Sequence, residues 1–136
     1  MAITRAENQV TWSAANSVSV AANNSQTSDI VTIDATTINA RITLKADNST
    51  TPAADDQIYF WALESSGDPD GASTDEYSTV SHGTLLAIVD TAAEDPAIKT
   101  VELPLPQRGL KIYAEGTSAG STNAVTVSAT ITEQKA

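Results

Sequence analysis

The run Asp68-Pro69-Asp70-Gly71-Ala72-Ser73-Thr74-Asp75-Glu76 crowds four carboxylates into nine residues, the densest such cluster in the chain. Carboxylates beside a glycine turn offer the oxygen ligands that Ca²⁺ accepts in flexible geometry. Asp68, Asp70 and Asp75 are the candidate ligands. The pattern falls short of an EF-hand loop, which needs oxygen donors at its first, third and fifth positions, glycine at the sixth and glutamate at the twelfth. Here glycine comes fourth, the third ligand is missing and no helical pattern follows. An acidic loop built on Asp-Pro and Asp-Gly turn chemistry explains the same residues, so no metal or other cofactor is expected.

His82 is the single histidine and has Ser81 beside it. A serine nucleophile needs a histidine held against it and an acid that orients the ring, and no Gly-x-Ser-x-Gly elbow occurs. If the two residues lie in a strand they point to opposite faces, which makes Ser81 a poor partner and His82 a surface residue at a strand edge. Asp55-Asp56 and Asp75-Glu76 resemble a glycosidase pair only in composition, because such acids flank a cleft from different elements. No enzymatic activity is expected.

Three of the six aromatic residues sit in Ile58-Tyr59-Phe60-Trp61-Ala62-Leu63, with Tyr59 and Trp61 on one face. Core packing, a subunit interface and a sugar-stacking platform are all open for that face. Trp12 is expected at the end of the domain or against a neighbouring molecule. Arg108 and Lys111 form a close basic pair, suited either to an acidic segment of another copy or to surface salt bridges within one chain.

Charge narrows the partners further. No lysine or arginine lies between Lys45 and Lys99, whereas eleven acids do, and the formal net charge is -10. Phosphate backbones and anionic lipids are held by clustered Lys and Arg, so neither nucleic acid nor a membrane is an expected partner. There are no cysteines, which excludes disulfides and thiolate chemistry. The first residues contain no apolar run of the secretory kind, and no segment approaches the ~18 apolar residues of a membrane span. Synthesis in a cytoplasm is the expectation.

The elements that must position these residues are strands. Val125, Val127, Ala129 and Ile131 alternate with Thr126, Ser128, Thr130 and Thr132, and Ile38 to Ala46 alternates in the same way. Shorter runs cover Val10–Ser13, Val18–Ala21, Ile30–Asp34, Val101–Leu105 and Leu110–Glu115. Ile58–Leu63 and Leu85–Val89 are apolar on both faces, as in strands buried by two layers or covered by another subunit. Turn residues fall at regular intervals, including Asn23-Asn24-Ser25 and Asn48-Ser49-Thr50-Thr51-Pro52. The expected fold is all-β: one antiparallel β-sandwich, immunoglobulin-like or jelly-roll-like, of about eight strands. Residues 1–9 read as an N-terminal arm and residues 10–136 as the sandwich.

Four stretches carry a resemblance: Arg5 to Trp12, Ile42 to Asn48, Gly67 to Tyr77 and Ala124 to Thr130. Together the chain resembles small virion proteins of tailed bacteriophages, of the head decoration or cement type. The resemblance implies a β-sandwich on the capsid surface, often trimeric, bound to the major capsid protein and without catalytic residues. It implies equally a place in the tail or a head fibre, and a carbohydrate-binding sandwich is the further alternative. On that basis Ala2, Ile3, Thr4 and Arg5 are the expected capsid-contacting arm, with Trp12, Tyr59, Trp61 and Arg108 as interface residues.

Overall fold

The computed structural model describes residues 2–54, 56–72, 74–106, 109–117 and 123–136. The described residues form ten strands and one 3₁₀ turn, Val80–His82: β1 (Thr4–Gln9), β2 (Val18–Val20), β3 (Ser25–Thr27), β4 (Thr37–Asn48), β5 (Gln57–Gly67), β6 (Glu76–Tyr77), β7 (Thr84–Asp90), β8 (Ala97–Glu102), β9 (Leu110–Thr117) and β10 (Val125–Lys135). No helix among them is long and apolar enough to cross a membrane.

All strand pairs are antiparallel, and they build two five-stranded sheets. The first runs β1-β10-β4-β8, with β2 also on β10; the second runs β3-β9-β5-β6, with β7 also on β5. β1 and β2 are two halves of one edge strand: β1 pairs with the Thr130–Lys135 part of β10, and β2 with its Val125–Val127 part. β6 and β7 divide an edge of β5 similarly, with β6 beyond Ser65 and β7 along Gln57–Ala62. Counting each split edge once leaves eight strands in the orders 1-8-3-6 and 2-7-4-5. That is the order of a jelly roll, in which successive strands mostly pass from one sheet to the other. The expected sandwich is therefore present, and its connectivity is the jelly-roll alternative.

Alternation determines what each sheet buries. β4 turns Ala40, Ile42, Leu44 and Ala46 inward; β10 adds Val125, Val127, Ala129 and Ile131, β5 adds Ile58, Phe60 and Ala62, and β9 adds Leu110, Ile112 and Ala114. Each fully buried side chain of Val, Leu, Ile or Phe size contributes about 1.5–3 kcal/mol relative to exposure. The threonines expected on a wet face are there: Thr43 and Thr100 meet across β4 and β8 on the outside, with their hydroxyls 2.9 Å apart.

Several sequence expectations are corrected. Thr4–Gln9 is not an arm but a paired edge strand, because Asn8 turns inward and donates to the buried carboxylate of Glu133 on β10. Val10–Ser13 is not a strand. There the chain leaves the sheet edge and makes a hairpin in which Trp12 bridges to Ala15, with Ser13 and Ala14 at φ 48° and 66°. Asp29 holds this turn, its carboxylate accepting from the Ala14 N–H at 2.9 Å and the Thr11 hydroxyl at 2.7 Å. Ile30–Asp34 contributes one bridge, Val31 to Leu110, rather than a strand. Ser25, expected in a turn with Asn23 and Asn24, instead opens the strand Ser25–Thr27, and β8 begins at Ala97 rather than Val101. Both are edge strands whose polar residues mask the alternation.

Candidate functional site

β5 lies centrally in the second sheet, and its two faces differ. Ile58, Phe60 and Ala62 face the core, so Tyr59 and Trp61 must face away from it. Both are half-buried at the outer surface, and core packing is thereby excluded for them. Their neighbours follow from register. Trp61 lies opposite Tyr113 of β9 on one side and Leu85 of β7 on the other; Tyr59 lies opposite Glu115 and Ile88. Leu86 is the extra residue of a bulge, which turns Leu85 outward beside Trp61. Leu85 and Ile88 are 43% and 40% exposed, so this face is an aromatic and aliphatic band across three strands. Tyr113, Leu85 and Ile88 were not singled out from the sequence. The only local signal was their alternation with the buried Ile112, Ala114, Ala87 and Val89.

The other expected interface residues do not join the band. Trp12 is 2% exposed and part of the core, which removes it as a contact residue. Its burial follows from the hairpin at the split edge, which drops the indole between the sheets; the indole N–H finds no acceptor among the described residues. Thr4 and Arg5 belong to β1, in the other sheet, and Ile3 stands 63% exposed just before it. Arg108 lies outside the described residues. Its expected companion Lys111 rests with Nζ 4.5 Å from the centre of the Tyr77 ring, a cation–π contact.

In the acidic loop, the Asp68 and Asp70 carboxylates both accept from the Ala72 N–H, at 2.9 and 3.0 Å, while Asp75 accepts from the Ser65 hydroxyl at 2.8 Å. These are turn-closing bonds, and among the described residues no three acidic or histidine side chains gather as metal ligands. The remaining acids of the middle span divide between loops and strands. Asp56 is buried, accepting from Ala53 N–H, Asn48 Nδ2 and Asn123 Nδ2 at 2.8, 3.0 and 2.7 Å. Thr91 also bonds Asn48 there and Asp95 accepts from the Asn48 N–H, so this group ties together three loops at one end of the sandwich. It is a structural clasp, which disposes of Asp56 as half of a cleft-lining acid pair.

His82 sits in the 3₁₀ turn rather than on a strand, so the expectation that Ser81 points away from it fails. Ser81 Oγ lies 3.2 Å and Thr79 Oγ1 3.3 Å from His82 Nδ1. The ring is exposed, and no carboxylate bonds to it among the described residues. The grouping lacks the orienting acid that makes a serine–histidine pair into catalytic machinery.

The fold thus defines a jelly-roll β-sandwich, whose second sheet carries an aromatic and aliphatic band on its outer face. No protein-family model matches the chain, and it matches no curated protein.

Proposed function

We propose that this chain is a non-enzymatic virion structural protein of a tailed phage, a head decoration or cement protein that binds the assembled shell and stabilises it by bridging major capsid subunits. The observation that carries the reading is the outer band in which half-buried Tyr59, Trp61 and Tyr113 adjoin the exposed Leu85 and Ile88. Contiguous exposed apolar surface with aromatic residues marks an interaction face. The four stretches resembling phage decoration proteins supply the partner, and the resemblance also supports a homotrimer on the capsid surface. Jelly rolls serve viral shells and lectins alike, so the fold agrees with the reading without selecting it. A ligand that binds only the closed shell stabilises it by mass action, and many copies make modest contacts sufficient.

The test is occupancy on purified capsids. Trp61→Ala and Ile88→Asp change outward side chains only and should leave the sandwich folded while reducing occupancy about tenfold or more, as loss of an aromatic anchor does. Unchanged occupancy overturns the reading. The aromatic band specifically favours one alternative, a carbohydrate-binding sandwich. In that case neutral glycans would change Trp61 fluorescence in the isolated protein, and capsids would not compete.

A further inference from the structure

The outer face of the first sheet differs entirely from the aromatic band. In its rows, Arg5 of β1 lies opposite Gln134 of β10, Gln134 opposite Asn39 of β4, and Thr132 of β10 opposite Arg41 of β4. These side chains, with Thr100 of β8, line an open depression of about 440 Å³. Two are guanidiniums, four carry amides or hydroxyls, and none is acidic or aliphatic. On a chain of net charge -10, two guanidiniums thus share one depression, although the outer face around it also carries carboxylates. Glu102 lies directly across from Arg41, and Glu7 lies across from Thr132 and two residues from Arg5 on the same face; both flank the depression without lining it. Among the described residues neither Arg5 nor Arg41 makes an ion pair or hydrogen bond, whereas Lys135 is held by Asp34 at 3.1 Å and Lys111 lies over Tyr77.

We propose that this depression binds a carboxylate-bearing sugar. Each guanidinium presents a planar fork of donors that matches a carboxylate two bonds at a time. The other four side chains point to a polyol. Amides and hydroxyls both donate and accept, which suits ring hydroxyls, whereas a bare inorganic oxyanion would use donors only. No apolar side chain offers the buried anchor on which peptide recognition usually depends. The depression is open to solvent, and the sheet backbone beneath is committed to its ladder, so recognition rests on side chains. The overall negative charge opposes an approaching anion, but at physiological salt that field is screened beyond about 8 Å. The two arginines, at direct contact, then dominate. This site stands apart from the aromatic band and does not depend on the virion reading.

The experiment is titration of the full chain with D-glucuronate and N-acetylneuraminate, read by ¹⁵N shifts of the arginine Nε–H groups, with D-glucose and inorganic phosphate as comparison probes. At least one acidic sugar should shift both Arg5 and Arg41 and bind about tenfold more tightly than glucose or phosphate, the margin expected of a bidentate carboxylate pair. Arg41→Lys keeps the charge but loses the fork, and should weaken binding about tenfold. Both arginines are exposed, so Arg5→Ala/Arg41→Ala should abolish the shifts of the backbone amides around Gln134 while circular dichroism stays that of the folded protein. Silence from both acidic sugars, phosphate binding as tightly as either, or full binding by Arg41→Lys would each overturn the proposal.

Discussion

Replacing Glu133 with alanine should cost this protein a large share of its stability, although the residue is a glutamate on a strand. Glu133 is 0% exposed and lies opposite Ala6 of β1 and Ala40 of β4, two small residues that leave room for its side chain. Its Oε2 accepts from the Asn8 side chain, and its Oε1 accepts from the Asp34 N–H at 3.0 Å and the Thr37 hydroxyl at 2.7 Å. One carboxylate therefore fastens the edge strand, the β3–β4 connection and the start of β4 to β10. Hydrogen bonds to a charged group contribute about 1.5–3 kcal/mol each, but the three donors belong to half-buried or exposed residues, so water recovers part of the loss. The net cost of Glu133→Ala is then about 3–4 kcal/mol, out of a total that for a single domain is about 5–15 kcal/mol. For a domain of this size, Tm should fall by about 10 °C. Urea unfolding followed by tryptophan fluorescence measures the change, and combining it with Asn8→Ala isolates the edge-strand bond, with an expected coupling of about 1–2 kcal/mol. A loss below about 1 kcal/mol, the net value of one ordinary hydrogen bond, would refute the claim that this carboxylate organises the sheet edge.

Two further outcomes follow from local geometry. Asp34 is held down to about pKa 2 from 3.8, first by the Thr36 N–H and hydroxyl and then by Lys135. A depressed carboxyl contributes stability that is fully present above the unfolded value and is lost as pH falls through the folded one. The fall in Tm between these two pH values should therefore be shallower in Asp34→Asn than in the unaltered chain, and identical slopes would contradict the assignment. Ala14 occupies the left-handed region at φ 66°. Glycine there removes a strain of about 1–2 kcal/mol and adds about 0.5–1 kcal/mol of unfolded-state freedom. Ala14→Gly should thus raise stability by about 0.5–1 kcal/mol in the same urea assay, and a lower midpoint would count against the turn geometry.

Alternation made the long strands legible: β4 from Ala40 to Ala46 and β10 from Val125 to Ile131 bury alternate residues and turn Arg41, Thr43, Thr126 and Thr130 away from the core. It failed where both neighbours of a strand residue are apolar. Nothing local in Ile58-Tyr59-Phe60-Trp61 says which pair is inner; packing against the first sheet chose Ile58 and Phe60, leaving the larger Tyr59 and Trp61 outside. It failed also at edges, because a short strand such as β3 or β8 needs few apolar residues once a neighbour supplies its hydrogen bonds. Trp12 shows the converse error. A tryptophan flanked by polar residues reads as a surface residue until a tight hairpin at a split strand edge carries it into the core.

By itself the sequence determined the all-β class, the sandwich and most of the inward-facing residues, because a period of two is a property of each strand alone. The tertiary structure decided which strands pair, and hence the jelly-roll order, the outward aromatic band and the placing of Arg5 and Arg41 around one depression. Those are matters of register between distant segments, set by which pairings fill one core while bringing donors to the buried carboxylates of Glu133 and Asp56. No single segment carries that information.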